Sequence, residues 1–458
     1  MLWLSKDVET ATGGYAVTNW FATGISIDTR TIQVGELFVA LKDQRDGHDF
    51  VATALANGAC AALVSRVPDG VDKNAPLLIV SDVLAALLDM AQFARARTKA
   101  VVIGVTGSVG KTSTKEMLKT ILSMSGKVHV AEKSFNNHWG VPLTLARMPM
   151  DVDFAVIEIG MNNPGEIRPL AKLANLDVAI VLNVSAVHLK SFKNVHEIAY
   201  AKSEIFENLS SKATAIVNND LPLTSVMMKI IKKVDAKVIT FGHAINSDYR
   251  LIETKRQDEK TISHVMINGV NTTFNFHAEG NHFAMNALAA IAAAQVAGAS
   301  LSKTIQALSD WKAPAGRGER QLIKFSSGCI ELIDESYNAN PASMAAALEV
   351  LANSETLGSK IAVLGEMGEL GSEELSYHVK LASLDVITHI DIFHLVGPMM
   401  QSMHEALPIK KRGLWVETTD ELVLKIRSLL SVNDIVMVKG SNYTRFSKIV
   451  EAIKKFDA

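Results

Sequence analysis

Cysteine is almost missing from this chain. Its two thiols, Cys60 and Cys329 in 458 residues, lie far apart in apolar surroundings (GACAALV, GCIELI). That excludes a disulfide framework or a cysteine metal site and predicts two small buried residues in a reducing compartment. Neither sign of charge is in excess. Lys plus Arg number 46 against 48 Asp plus Glu, a formal net charge of −2, so no global attraction to nucleic acid or an anionic membrane is expected. Long apolar runs are missing too. The most apolar stretch, AMNALAAIAAAQVAGAS, is interrupted by Asn286 and Gln295 and reads as a core helix rather than a membrane span. The segment MLWLSKDVETATGGY has no basic stretch ahead of an apolar one, so no secretory signal is expected. These absences predict a cytoplasmic enzyme, monomeric by default because no exposed apolar stripe is evident.

What is present is an alternation of strands and helices too long for one core, and about three domains are expected. The pattern divides at 1–83, 84–313 and 314–458. The first unit carries a strand GELFVAL, a polar turn KDQRDGHD, a helix FVATALANGA, and strands ACAALVS and PLLIVS. The second opens with a helix, LAALLDMAQFARAR. Its strands DFAVIEIG, DVAIVLNV and TAIVNND predict a parallel sheet covered on both faces. A more polar section then predicts antiparallel strands and a hairpin turned by Asn268-Gly269, closed by the alanine-rich helix and a second helix ending at Trp311. Proline, glycine and charge in LSDWKAPAGRGERQ mark the last boundary. Strands CIELIDES, KIAVLGEM, DIFHLVG and DIVMVKG then alternate with helices in a second doubly wound unit. The fold class is α/β throughout.

Chemistry concentrates in VVIGVTGSVGKTSTK, residues 101–115. Four apolar residues predict a buried parallel strand, and the turn Gly107, Ser108, Val109, Gly110, Lys111 leads into a helix beginning near Thr112. Backbone N–H groups in such a turn surround a triphosphate at the positive end of a helix dipole. Lys111 would neutralise the outer phosphates, and the hydroxyl of Thr112, followed by Ser113, would ligate Mg²⁺. The strict phosphate-loop pattern asks for glycine at position 105, where this chain has valine.

Other residues are open to two readings each. Glu158 ends the strand DFAVIEIG, where a carboxylate suits Mg²⁺ or simply terminates a strand. His188 follows the strand ending at Asn183 and is either structural or a metal ligand. Lys202, within EIAYAKSEIF, reads from its own helix as a solvated lysine. Asn136 and Asn137 offer amides to a sugar or peptide, or serve a turn. Asp334 suits a ribose hydroxyl or a helix cap, and Arg317, between two glycines, can reach an anion.

Together these pieces resemble a known family. TGSVGKT, SFNNHWGVPLT, VIEIGMNNPGEI, NVSAVHL, AYAKSEIF, EGNHFAMNALAA, AGRGE, DESYNANPASM and LGEMGELG occur in the order found in the Mur ligases. The resemblance extends to SIDTRTIQVGELFVAL and DGHDF, and so covers nearly the whole chain. It implies a small UDP-binding α/β domain, a central P-loop parallel-sheet ATPase domain and a C-terminal Rossmann-like domain. DESYNANP with GEMGELG implies ATP-dependent joining of D-alanyl-D-alanine to UDP-MurNAc-tripeptide. By position, the resemblance puts Thr112 and Glu158 on one Mg²⁺ and His188 on a second. It makes Lys202 the lysine that family members carry as a carbamate, reversing the solvated reading. Asn286, Arg317 and Asp334 would contact adenine, phosphate and ribose, with Tyr337 and Asn338 beside the nucleotide. Thr29 and Arg30 would meet uridine, and Asn136 and Asn137 the sugar-peptide. Two stretches depart from the family pattern. Lys190 and Ser191 stand where Glu-Gly is frequent, and VKGSNYTRF replaces a more usual VKGSR, so Asn442 and Tyr443 receive no role.

Overall fold

The computed structural model describes residues 1–257, 259–325 and 328–457. Three main sheets follow one another along the chain. The first has five strands in the order Tyr15–Ala16, Leu77–Ile79, Ala61–Val64, Glu36–Val39 and Gly24–Ser26, parallel except for Tyr15–Ala16. The predicted helix at FVATALANGA shortens to Val51–Ala56, because Asn57 and the positive-φ Gly58 turn the chain back.

The central sheet has nine strands. Its parallel portion runs Lys237–Gly242, Thr214–Asn218, Val178–Val181, Val101–Thr106, Phe154–Glu158 and Val128–Val130. Tyr249–Gln257, Lys260–Ile267 and Val270–Phe276 extend it as a meander. Asn268 and Gly269 turn the predicted hairpin, both at positive φ. Val101–Thr106 sits between two parallel neighbours and is apolar up to its last residue, Thr106, as suits a strand buried on both faces. The helix Lys111–Leu122 packs on it and on Asn281–Val296, whose alanines are buried and let the two helices approach closely. The second predicted helix ends at Leu308, short of Trp311. Among the described residues, no helix is long and apolar enough to cross a membrane.

Helix Val83–Ala96 lies where the first two sheets meet. Its Leu87, Met90 and Ala94 share a core with Trp3, Ile25 and Leu63 on one side and Leu143 and Ala146 on the other.

The last sheet runs Glu319–Phe325, Gly328–Glu335, Ile435–Lys439, Lys360–Gly365, Ile392–Val396 and Arg412–Val416, parallel but for the first pairing. The strand Glu319–Phe325 was not anticipated, since ERQLIKF is short and half polar. It is an edge strand, which tolerates such a composition. Contrary to expectation, Cys329 is exposed and Cys60 only partly buried. Cys329 opposes Lys324 in the outer antiparallel pairing, on a side chain row that leaves the core.

Candidate active site

Carboxyl ends of parallel strands are where open α/β sheets bind ligands, and four central strands deliver polar groups to one place. Val101–Thr106 runs into the phosphate loop. Its neighbour ends on Glu158, in register with Val105. Val105 is therefore a core strand residue, which explains why no glycine is needed there. The close approach falls to Gly107, where a Cβ would lie 3.0 Å from Leu182. Gly110 caps the helix at φ 85°, and a Cβ there would come 2.6 Å from Asn286 Oδ1.

The loop is held from its flank. Val109 N–H donates to Asn183 Oδ1 at 2.9 Å, and Asn183 Nδ2 donates back to the Val109 carbonyl at 3.0 Å. Lys111 Nζ donates to the Gly107 carbonyl at 2.8 Å. Asn183 went unassigned in the sequence, although its place at a strand end next to the loop was visible.

Glu158 is buried, and both its oxygens are engaged. Thr112 Oγ1 donates to Oε2 at 2.9 Å and Asn136 Nδ2 to Oε1 at 2.7 Å. Ser134 Oγ, 3.0 Å from Thr112 Oγ1, accepts from the Arg317 guanidinium at 3.2 Å. One chain of polar contacts thus runs from the C-terminal unit through Arg317, Ser134 and Thr112 to Glu158. Ser134 was missed; only its place beside Asn136 could have flagged it.

A cavity of about 550 Å³ collects Ser108 to Ser113, Asn136, Glu158, His188 and Asn286 from the central unit. Arg317, Tyr337 and Asn338 face them from the C-terminal unit, the Arg317 guanidinium stacked 3.8 Å over the Tyr337 ring. Asp334 does not line this cavity. It is buried, taking the Gly316 N–H at 3.0 Å and the Ser336 N–H and hydroxyl at 3.1 and 2.6 Å, and so fixes the loop that carries Arg317. Asn137 is likewise a turn residue here, accepting from Gly140 N–H at 2.9 Å. Thr29 and Arg30 lie on the first unit, with Arg30 paired to Asp28 at 2.6 Å. That bond, reinforced by the more distant Lys133 of the central unit, holds the Asp28 carboxyl down to about 2.

Lys202 is buried, at 2 % exposure, and not solvated. The Lys111 charge that it faces comes from another element, which its own helix could not reveal. Its ammonium has no hydrogen-bond or ion-pair partner among the described residues. Burial, and then the charge of Lys111, push it well below lysine's usual range. Lys111 is itself lowered by burial, with Glu158 opposing and Arg317 adding.

Among the described residues, no three His, Cys, Asp or Glu side chains form a ready-made metal cage. A hydroxyl and one carboxylate beside a phosphate-binding turn do suit Mg²⁺, which takes few protein ligands and completes its shell with phosphate oxygens and water. Lys202, unlike His188, is not among the residues lining the cavity, and it could serve a cation only by presenting an oxygen instead of an ammonium.

This architecture, with a phosphate loop facing a second α/β unit across a shared cavity, is that of an ATP-driven ligase. Residues 105–294 match the Mur ligase middle domain, and residues 316–442 match the Mur ligase, glutamate ligase domain. The chain belongs to the Mur ligase family. It is 32% identical over 452 residues to the UDP-N-acetylmuramoyl-tripeptide–D-alanyl-D-alanine ligase of Rickettsia prowazekii, covering 98% of this chain and 99% of the relative. It superposes on MurF from Acinetobacter baumannii with a TM-score of 0.84 at 29% identity, over 99% of both chains. On the MurF ligase of Thermotoga maritima in complex with ADP, the TM-score is 0.79 at 25% identity, over 94% of this chain and 97% of that one.

Proposed function

We propose that the chain uses ATP to join D-alanyl-D-alanine to UDP-MurNAc-tripeptide, giving the pentapeptide precursor of peptidoglycan, ADP and phosphate. It acts in the cytoplasm as a monomer. Residues 1–83 hold the UDP-sugar, with Thr29 and Arg30 at the uridine. Residues 84–313 hold the ATP phosphates and Mg²⁺, and residues 314–458 complete the nucleotide site and receive the dipeptide. One arrangement supports this reading most directly: the phosphate loop, Glu158 and His188 share a cavity with Arg317, Tyr337 and Asn338.

The tripeptide carboxylate attacks the γ-phosphoryl group, and ADP leaves. The amine of D-alanyl-D-alanine then attacks the acyl phosphate carbon, expels phosphate and loses a proton. Two anions must approach in the first step, so positive charge must be concentrated there. Lys111 and Arg317 supply part of it, and the loop N–H groups cradle the phosphates. Mg²⁺, held by Thr112 and Glu158 and a second time by His188 and Lys202, would screen the remainder. Asn286 meets the adenine, and Asp334 acts at one remove by fixing the loop that carries Arg317. Asn136 faces the sugar-peptide, while Asn137 shapes the turn beside it.

Lys202 reaches its role by covalent change. Its neutral amine adds to CO₂, forming an N–C bond and releasing one proton, and the resulting carbamate offers oxygen where an ammonium would repel. The depressed Lys202 ammonium supports this step, because only the free amine adds CO₂.

Phosphate release with UDP-MurNAc-tripeptide, with and without D-alanyl-D-alanine, tests the function. Release that requires both substrates is expected. A kinase would leave phosphate on its product. A folate-type amide ligase on the same scaffold would bind no UDP.

A further inference from the structure

His188 and Glu369 come from different units and meet side chain to side chain, His188 Nδ1 against Glu369 Oε2. Both residues adopt the left-handed backbone region, at φ 54° and 64°, which non-glycine residues hold only where their surroundings enforce it. The enforcement is visible on each side. Val187 and Phe192 are buried in the central core and pin the loop around His188. Met367 and Leu370 are buried in the C-terminal core and pin the loop around Glu369. That second loop is tied further, with Met367 N–H donating to His378 Nε2 at 2.9 Å and Gly368 N–H to Ser441 Oγ at 3.0 Å.

The backbones touch as well. Lys190 N–H donates to the Glu369 carbonyl at 3.3 Å, and a Cβ on Gly371 would lie 3.2 Å from the Leu189 carbonyl. The first departure from the family pattern, Lys190 after Leu189, therefore falls on this contact. Two rigid loops facing each other make the imidazole–carboxylate contact a property of how the units are docked.

A carboxylate on one imidazole nitrogen fixes the tautomer. The proton stays on Nδ1 and the lone pair on Nε2, the arrangement of histidines that ligate metals. Building on the ligase function above, we propose that Glu369 is a positioning residue for His188. It presents Nε2 to the second divalent cation only when the C-terminal unit is docked. Closure and completion of that cation site are then one event, and an undocked enzyme does not assemble its second cation site ahead of the acceptor-bearing unit.

Mn²⁺ reports the site without turnover. The full-length protein with β,γ-methylene-ATP is titrated with Mn²⁺, and the free ion is followed by electron paramagnetic resonance. The wild type should bind two Mn²⁺. Glu369→Ala should weaken the second by about 10-fold or more and leave the first in place. Glu369→Gln should recover part of the loss, since its amide oxygen still accepts from Nδ1–H. In a His188→Ala background, Glu369→Ala should change nothing further. Unchanged second-site affinity in Glu369→Ala would overturn the proposal, and so would a loss that adds to that of His188→Ala, the mark of a simple latch. A wild type that binds one Mn²⁺ yet releases phosphate with both substrates would overturn it while leaving the ligase function standing. No phosphate release at all would remove both.

Discussion

Each of the two units that face the cavity holds a lysine buried to 2 % exposure, and the two could hardly be placed more differently. Lys439, at a strand end of the C-terminal unit, donates to Glu335 Oε2 at 2.9 Å and to the Asn338 carbonyl at 3.0 Å. Lys202, in the central unit, has no partner among the described residues and faces the charge of Lys111. A buried ammonium with a carboxylate and a carbonyl is a strut, since it fixes the loop bearing Tyr337 and Asn338. A buried ammonium with neither cannot stay charged cheaply, and its free amine is a reagent. Equal burial thus separates structure from chemistry only once the neighbours are counted.

The comparison can be broken most severely at the neighbour of Lys202. Lys111→Ala should reduce ADP formation by about 10³-fold, read in a coupled assay at saturating substrates; activity near wild type would remove the phosphate loop from the reaction. Lys202→Ala should cost about 10²-fold, with partial recovery in added formate or acetate, which replace the missing oxygen ligand. Stripping CO₂ from the assay should mimic the variant. If small carboxylates leave it unmoved, the carbamate is wrong and Lys202 is no reagent. Lys439→Met should act on stability instead, by roughly 3 kcal/mol, because it strands Glu335. Glu335→Gln in the same chain should return part of that. Calorimetry of the C-terminal transition separates this from an effect on turnover.

The smallest effect concerns a third buried base. Burial pushes the His394 imidazole down to about 4, while in the unfolded chain it titrates near 6.5. Between those values the unfolded state binds the extra proton. Stability should therefore fall as pH drops from 6.5 towards 4 and level off below, by about 3 kcal/mol at most. Thermal scans of the wild type and His394→Leu should show the slope only in the former.

Much of this was legible in residue order. The apolar run before Gly107, the turn at Asn268-Gly269 and the alternation of strands and helices each follow from local chemistry, and each is found. The candidate site was legible where a motif sits at a strand end, as with Lys111, Thr112 and Glu158. Lys202 was not, because the charge it faces, Lys111, lies far away in sequence, and only the family resemblance singled it out. Ser134 and Glu369 were missed for the same reason: their partners, Arg317 and His188, lie 183 and 181 positions away. A lone hydroxyl or carboxylate carries no sign of a contact made across two units.

Gly110 touches the amide of Asn286, which descends from a different helix. A single methyl group at position 110 would therefore press the phosphate-loop turn and the Asn286 amide apart. The tightness of this turn and the placement of the Asn286 helix cannot drift separately in this scaffold. Sequence change in either must be answered by change in the other.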